Sequence, residues 1–227
     1  MKKLIIANWK LNPTTLKEAH KLAGSIEHKA KHNVVLCPPT IFLASVAYPQ
    51  LGAQDAFWQD KGPYTGQTSP EQLKDLGIKY CLLGHSEKRA LGESDEMVNA
   101  KARQLLRHKV TPVVCVGFGT KVDQDDLEVT DVLKSQLEID LKDIDPSKVV
   151  VAYEPVWAIG TGHNATPEHA EKISIFIKSR YQIKTILYGG SVNIANAKAF
   201  LQQSNVGGLL VGGASLVAKD FNHIINL

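Results

Sequence analysis

Read from the N-terminus, the chain alternates short unbroken apolar runs with longer stretches in which apolar residues recur every three or four positions. The runs are KLIIAN (3–8), NVVLCPP (33–39), LGAQ (51–54), YCLLGH (80–85), TPVVCVG (111–117), VVVAYEP (149–155), TILYGGS (185–191) and VGGLLVGG (206–213). Each is rich in Val, Ile and Leu and bounded by polar residues or Gly and Pro, the pattern of strands buried on both faces of a parallel sheet. Between them Val129, Leu133, Leu137, Leu141 and Ile144 step by three or four, as do Ala170, Ile173, Ile177 and Tyr181, so each series predicts a helix with one apolar stripe. Ser69-Pro70-Glu71 and Thr166-Pro167-Glu168 place a capping hydroxyl, a proline at the first helical position and an acid in the first turn, which marks two helix starts.

Eight strands alternating with helices, at ~28 residues per unit, predict an α/β fold: a (β/α)8 barrel of parallel strands with surrounding helices, one domain over residues 1–227. An open doubly wound sheet has the same alternation, but no GxGxxG follows the first strand. The 227 residues, 44% apolar, suffice for one large core. Lys and Arg total 26 against 23 acids, and a scattered net charge of +3 argues against a nucleic-acid groove or a membrane surface as partner. An anionic small substrate therefore needs locally placed cations. Cys37, Cys81 and Cys115 sit singly in apolar runs, which points to reduced core thiols in a cytoplasmic protein, and the apolar stretch of MKKLIIANWK is too short for an export signal.

In such a barrel, side chains at the C-terminal ends of the strands converge on one mouth. Asn8 and Lys10 fall at the end of the first strand, His85 the fourth, Glu154 the sixth, Ser191 the seventh, and Gly212 with Gly213 the eighth. Singly, each has an ordinary reading: a hydrogen-bonded histidine, a salt-bridged glutamate, a solvated lysine, turn glycines. Together they form a base, an imidazole, a cation and glycine turns at one rim.

The segments ANWKLN (7–12), GHSEKR (84–89), VAYEPVWAIGTG (151–162), LYGGSV (187–192) and LLVGGASL (209–216) resemble those of the triosephosphate isomerases, in the same order across nearly the whole chain. The resemblance implies a TIM barrel that interconverts dihydroxyacetone phosphate and D-glyceraldehyde 3-phosphate through an enediolate, in glycolysis and gluconeogenesis, with no cofactor and no metal. It implies Glu154 as the base, with a neutral His85 at a helix N-terminus, Lys10 and Asn8 as electrophiles. Glu87, Cys115 and Ser86 become supporting residues, Glu87 holding Lys10 and Cys115 packing near the base. Backbone amides of Gly160, Ser191, Gly212 and Gly213 become the phosphate cradle. Pro155, Val156, Trp157, Ala158, Ile159, Thr161 and Gly162 become a lid that closes over the base, with Tyr188 and Ser191 as its latch.

The resemblance also implies a homodimer joined by the loop KGPYTGQTS (61–69), in which Thr65 reaches a neighbour's site and Tyr64 supplies apolar surface. Gln67 and Lys88 stand where the family usually has Glu and Arg, so a charged contact is weakened to a neutral one. Phe118 replaces the usual acceptor for Trp157, and His163-Asn164-Ala165 replaces the commoner Lys-Thr-Ala at the far hinge. Two other readings stay open on the sequence: a phosphate-binding barrel without turnover, which Phe118 favours, and a Schiff-base enzyme using Lys10, which Glu87 disfavours by keeping that lysine charged.

Overall fold

The computed structural model describes residues 2–122, 124–158 and 165–227. Its elements run β1 (Leu4–Asn8), α1 (Leu16–Ser25), β2 (Asn33–Cys37), β3 (Gly52–Ala53), α2 (Pro70–Asp75), β4 (Tyr80–Leu83), α3 (Ser86–Ala90), α4 (Asp95–Arg107), β5 (Thr111–Val116), α5 (Asp126–Asp140), β6 (Val150–Tyr153), α6 (Pro167–Tyr181), β7 (Thr185–Tyr188), α7 (Ala197–Gln202), β8 (Gly208–Val211) and α8 (Ala218–Ile225). Each of the eight apolar runs contains one strand. All pair in parallel, in the order β2-β1-β8-β7-β6-β5-β4-β3, and a parallel bridge from Leu36 to Leu51 joins the two ends of the sheet into a barrel.

Strand alternation divides the core in two. Leu4, Ile6, Val35, Leu82, Val113, Cys115, Val150, Ala152, Leu187 and Leu210 pack together as the barrel interior. The alternate residues, among them Ile5, Leu36, Leu83, Val114, Val151 and Tyr153, pack against the helices. Val129, Leu133 and Leu137 of α5 and Ala170, Ile173 and Ile177 of α6 are buried in that outer layer, as their spacing predicts.

Ser69 and Thr166 cap α2 and α6 through the amides of Gln72 and His169, with Pro70 and Pro167 at the first helical positions. One boundary differs from the sequence reading. The stripe extends to Leu141 and Ile144, yet α5 ends at Asp140, because Asp143 adopts a left-handed conformation (φ 59°) and Ile144 belongs to the connection into β6. Among the described residues, no helix is long and apolar enough to cross a membrane.

Candidate active site

The parity that points Val150 and Ala152 into the barrel also points Glu154, the first residue past β6, toward the axis at its mouth. Glu154 is 1% exposed. Its Oε2 accepts a hydrogen bond from the Ser86 amide at 2.9 Å. Its Oε1 lies 3.1 Å from His85 Nε2, at the distance but not the alignment of a hydrogen bond. Burial pushes the carboxyl pKa up, with His85 and the Ser86 hydrogen bond opposing it. A desolvated carboxylate of this kind is a stronger base than one in water.

His85 is the N-cap of α3, and its Nδ1 accepts from the Glu87 amide at 3.2 Å. A ring nitrogen that accepts carries no proton, so a neutral His85 has its N–H at Nε2, the atom facing Glu154. Lys10 is held by three contacts: its amide donates to Asn8 Oδ1 at 3.0 Å, its carbonyl accepts from Gln54 Nε2 at 2.8 Å, and its Nζ lies 2.7 Å from Glu87 Oε1. Its backbone is left-handed, with φ 54°. Such a conformation in a lysine persists where its surroundings over-determine it, as these contacts do.

Beyond Lys10, β8 runs into a turn at Gly212 and Gly213, and a side chain at Gly212 would come within 3.2 Å of Lys10 Cε. Glycine here leaves main-chain amides open to an anion beside the lysine. Asn8, Lys10, His85, Glu154, Ser191 and this turn line one cavity of about 640 Å³. That volume falls within the range of small-molecule sites. The chemistry gathered there is one raised carboxyl, one imidazole N–H, one ammonium and a backbone suited to an oxyanion. Among the described residues no group of three His, Cys, Asp or Glu side chains is placed to hold a metal ion.

The sequence model of the family described as Triosephosphate isomerase matches residues 3–227. The chain belongs to the triosephosphate isomerase family. It is 43% identical to the triosephosphate isomerase of Caldanaerobacter subterraneus subsp. tengcongensis, over 98% of each chain. It is 41% identical to that of Mycoplasma mobile, over 99% of each, and 40% identical to that of Trichodesmium erythraeum, over 100% of this chain and 99% of the relative.

The other residues that the triosephosphate isomerase resemblance singles out divide by location. Cys115 is fully buried inside the barrel, and the nearby Glu154 carboxylate, second to burial itself, helps raise its thiol pKa. Pro155 and Ala158 are buried, Val156 and Trp157 half-buried, and the three residues Val156–Ala158 form a 3-10 turn. Ile159, Gly160, Thr161, Gly162, His163 and Asn164 lie outside the described residues. Tyr188 is buried and its ring stacks on Phe200 at 3.9 Å, while Phe118 is exposed. Tyr64 and Thr65 are exposed, and Tyr64 packs its ring on Phe57 of its own chain at 4.7 Å. Lys88 is engaged by Asp55 at 2.7 Å.

Several supporting residues have no role in the sequence reading. Arg89 donates to the carbonyls of Gly84 at 2.8 Å and Cys115 at 3.2 Å and to Asp140 at 2.7 Å, tying the residue before His85 to β5 and α5. Gln136 accepts from the Gly117 amide at 2.8 Å and donates to the Phe118 carbonyl at 2.9 Å. Glu93 accepts from the Gly84 amide at 3.0 Å and is paired with the buried Lys101. Arg89 stands inside GHSEKR, and Asp140 is an acid three residues beyond Leu137 on the apolar stripe of α5. An acid on a buried face was the readable signal of a buried partner.

Proposed function

We propose that this family member interconverts dihydroxyacetone phosphate and D-glyceraldehyde 3-phosphate with Glu154 as the base. Glu154 removes a proton from the carbon next to the carbonyl and returns it to the neighbouring carbon. His85 Nε2–H, Lys10 Nζ and Asn8 donate to the oxygens on which charge develops in the enediolate. The phosphate binds at the amides of Ser191, Gly212 and Gly213, with Gly160 added by the segment after the base, and Lys10 supplies positive charge at this cavity. Residues Pro155 to Gly162 act as a lid that excludes water, and Tyr188 and Ser191 hold it shut. The observation that carries this reading is the buried Glu154 carboxyl 3.1 Å from His85 Nε2 on the wall of a cavity that Lys10 and a glycine turn share.

We infer further that two copies assemble through loop 61–69, with apolar surface added by the exposed Leu11, Ile41 and Leu91, and that the chain works in a reducing cytoplasm, consistent with its three buried free cysteines. A coupled assay run from either triose phosphate tests the reading. The parent chain turns over both, and Glu154→Gln loses roughly 10²- to 10⁴-fold in kcat with little change in the affinity for inorganic phosphate. Turnover unchanged in Glu154→Gln removes the assigned base.

A further inference from the structure

We propose that His169 is a positioning residue for the base, holding the strand end before Glu154 and the turn after it through one imidazole ring. The inference rests on Glu154 being the base. Strand parity turns Tyr153 away from the barrel axis, into the layer between sheet and helices, where its side chain is buried. There its hydroxyl lies 2.9 Å from His169 Nε2. The other ring nitrogen, Nδ1, lies 3.1 Å from Asp126 Oδ1 at the start of α5, and Asp126 Oδ2 also takes Lys172 Nζ at 2.9 Å. The hydrogen bond from Lys172 holds the Asp126 carboxyl below its ordinary range, so that group is an anion and only accepts. His169 Nδ1 must therefore donate, and a neutral ring accepts the Tyr153 hydroxyl proton at Nε2.

The same ring meets Trp157 edge-on, with centroids 6.3 Å apart and planes at 66°. His169 thus touches the residue immediately before Glu154 and the third residue after it. Its own backbone does not yield: its amide donates to the Thr166 cap at 3.1 Å, two residues past the Pro167 that starts α6. Glu154 directly follows β6 and His169 stands in the first turn of α6, and this contact ties the two elements together. A strut that merely packed α5 on α6 would have no reason to grip both flanks of the base.

The test compares the parent with His169→Leu, which removes both hydrogen bonds, His169→Gln, whose amide O and N are spaced much like the two ring nitrogens, and Asp126→Ala, a change at a half-exposed site. Each is read by kcat, by KM for glyceraldehyde 3-phosphate, and by the fluorescence of Trp157, taken as the difference from the matching Trp157→Phe chain. A misplacement of the base by a fraction of an ångström predicts a roughly 10- to 100-fold loss of kcat in His169→Leu with KM within about threefold. His169→Gln recovers to within about threefold of the parent, Asp126→Ala loses several-fold, and the Trp157 emission shifts in His169→Leu.

A His169→Leu chain that melts earlier but keeps its kcat and its Trp157 emission overturns the proposal, leaving His169 a strut. So does a His169→Gln chain as impaired as His169→Leu, or an Asp126→Ala chain like the parent in kcat and emission. In the same preparations, loss of activity in Glu154→Gln beside an unimpaired His169→Leu defeats this inference alone. An inactive parent defeats the functional reading instead, and the Trp157 emission still decides the contact.

Discussion

Arg89 and Asp140 give the sharpest test of what holds His85 in place. Asp140 is wholly buried, and burial pushes its carboxyl well up while Arg89, 2.7 Å away, opposes the rise. Replacing Arg89 by Met leaves that carboxyl in the core without its cation. Breaking a buried pair from one side costs about 3–5 kcal/mol, which in a domain of this size lowers the melting temperature by about 6–20 °C. The loss must depend on pH in a fixed direction. Without Arg89 the folded-state pKa of Asp140 rises further above its unfolded value of about 3.9, so the folded chain binds the proton more tightly than the unfolded chain. The deficit is therefore full above the raised folded pKa and shrinks as pH falls through it.

Thermal melts followed by circular dichroism at pH 8 and pH 5 measure this. The double variant Arg89→Met/Asp140→Leu adds a second reading, because it removes the stranded charge and restores most of the melting temperature. It does not restore turnover, since the carbonyls of Gly84, next to His85, and of Cys115 still lack their donor. An Arg89→Met chain within about 2 °C of the parent at pH 8, or one with equal deficits at both pH values, refutes the reasoning, since the predicted deficit starts near 6 °C.

Two further outcomes follow from the same structure. The raised Glu154 carboxyl destabilises the folded chain above the unfolded glutamate pKa of about 4.3, so Glu154→Gln melts higher than the parent at pH 8, and the gap closes as pH falls toward that value; a Glu154→Gln chain that melts lower at pH 8 contradicts the burial argument. Gly117 has a left-handed φ of 113°, and a Cβ there would stand 2.3 Å from the Glu154 carbonyl oxygen, so Gly117→Ala displaces Glu154 and loses more than about 10-fold in kcat; parent-like kcat shows that the end of β6 yields without consequence.

The strands were legible because a parallel barrel buries both faces of each one, which writes an unbroken apolar run into the sequence. Helix starts were legible at Ser69 and Thr166 because capping is local chemistry. The end of α5 was not, since the apolar stripe continues past Asp140 while the backbone turns left-handed at Asp143, a position held by an aspartate rather than a telltale glycine. At the site, Asn8, Lys10, His85, Glu154, Ser191 and Gly212 were found through their place at strand ends. Gln54, directly after β3, fits that rule but was not read from it, and Arg89, Gln136 and His169 escaped it. They act from helices or through the backbone of another residue, and their partners at Lys10, Gly84, Gly117 and Tyr153 show only once each strand, turn and helix has folded.

The central claim is that one buried carboxyl carries a proton between adjacent carbons of a triose phosphate. The most direct measurement is proton NMR of the substrate turned over in deuterium oxide. The account predicts that the parent chain places solvent deuterium on the carbon of the product and that Glu154→Gln, folded and still binding phosphate, places none at a comparable rate. Carbon-bound deuterium appearing as fast with Glu154→Gln as with the parent would contradict it.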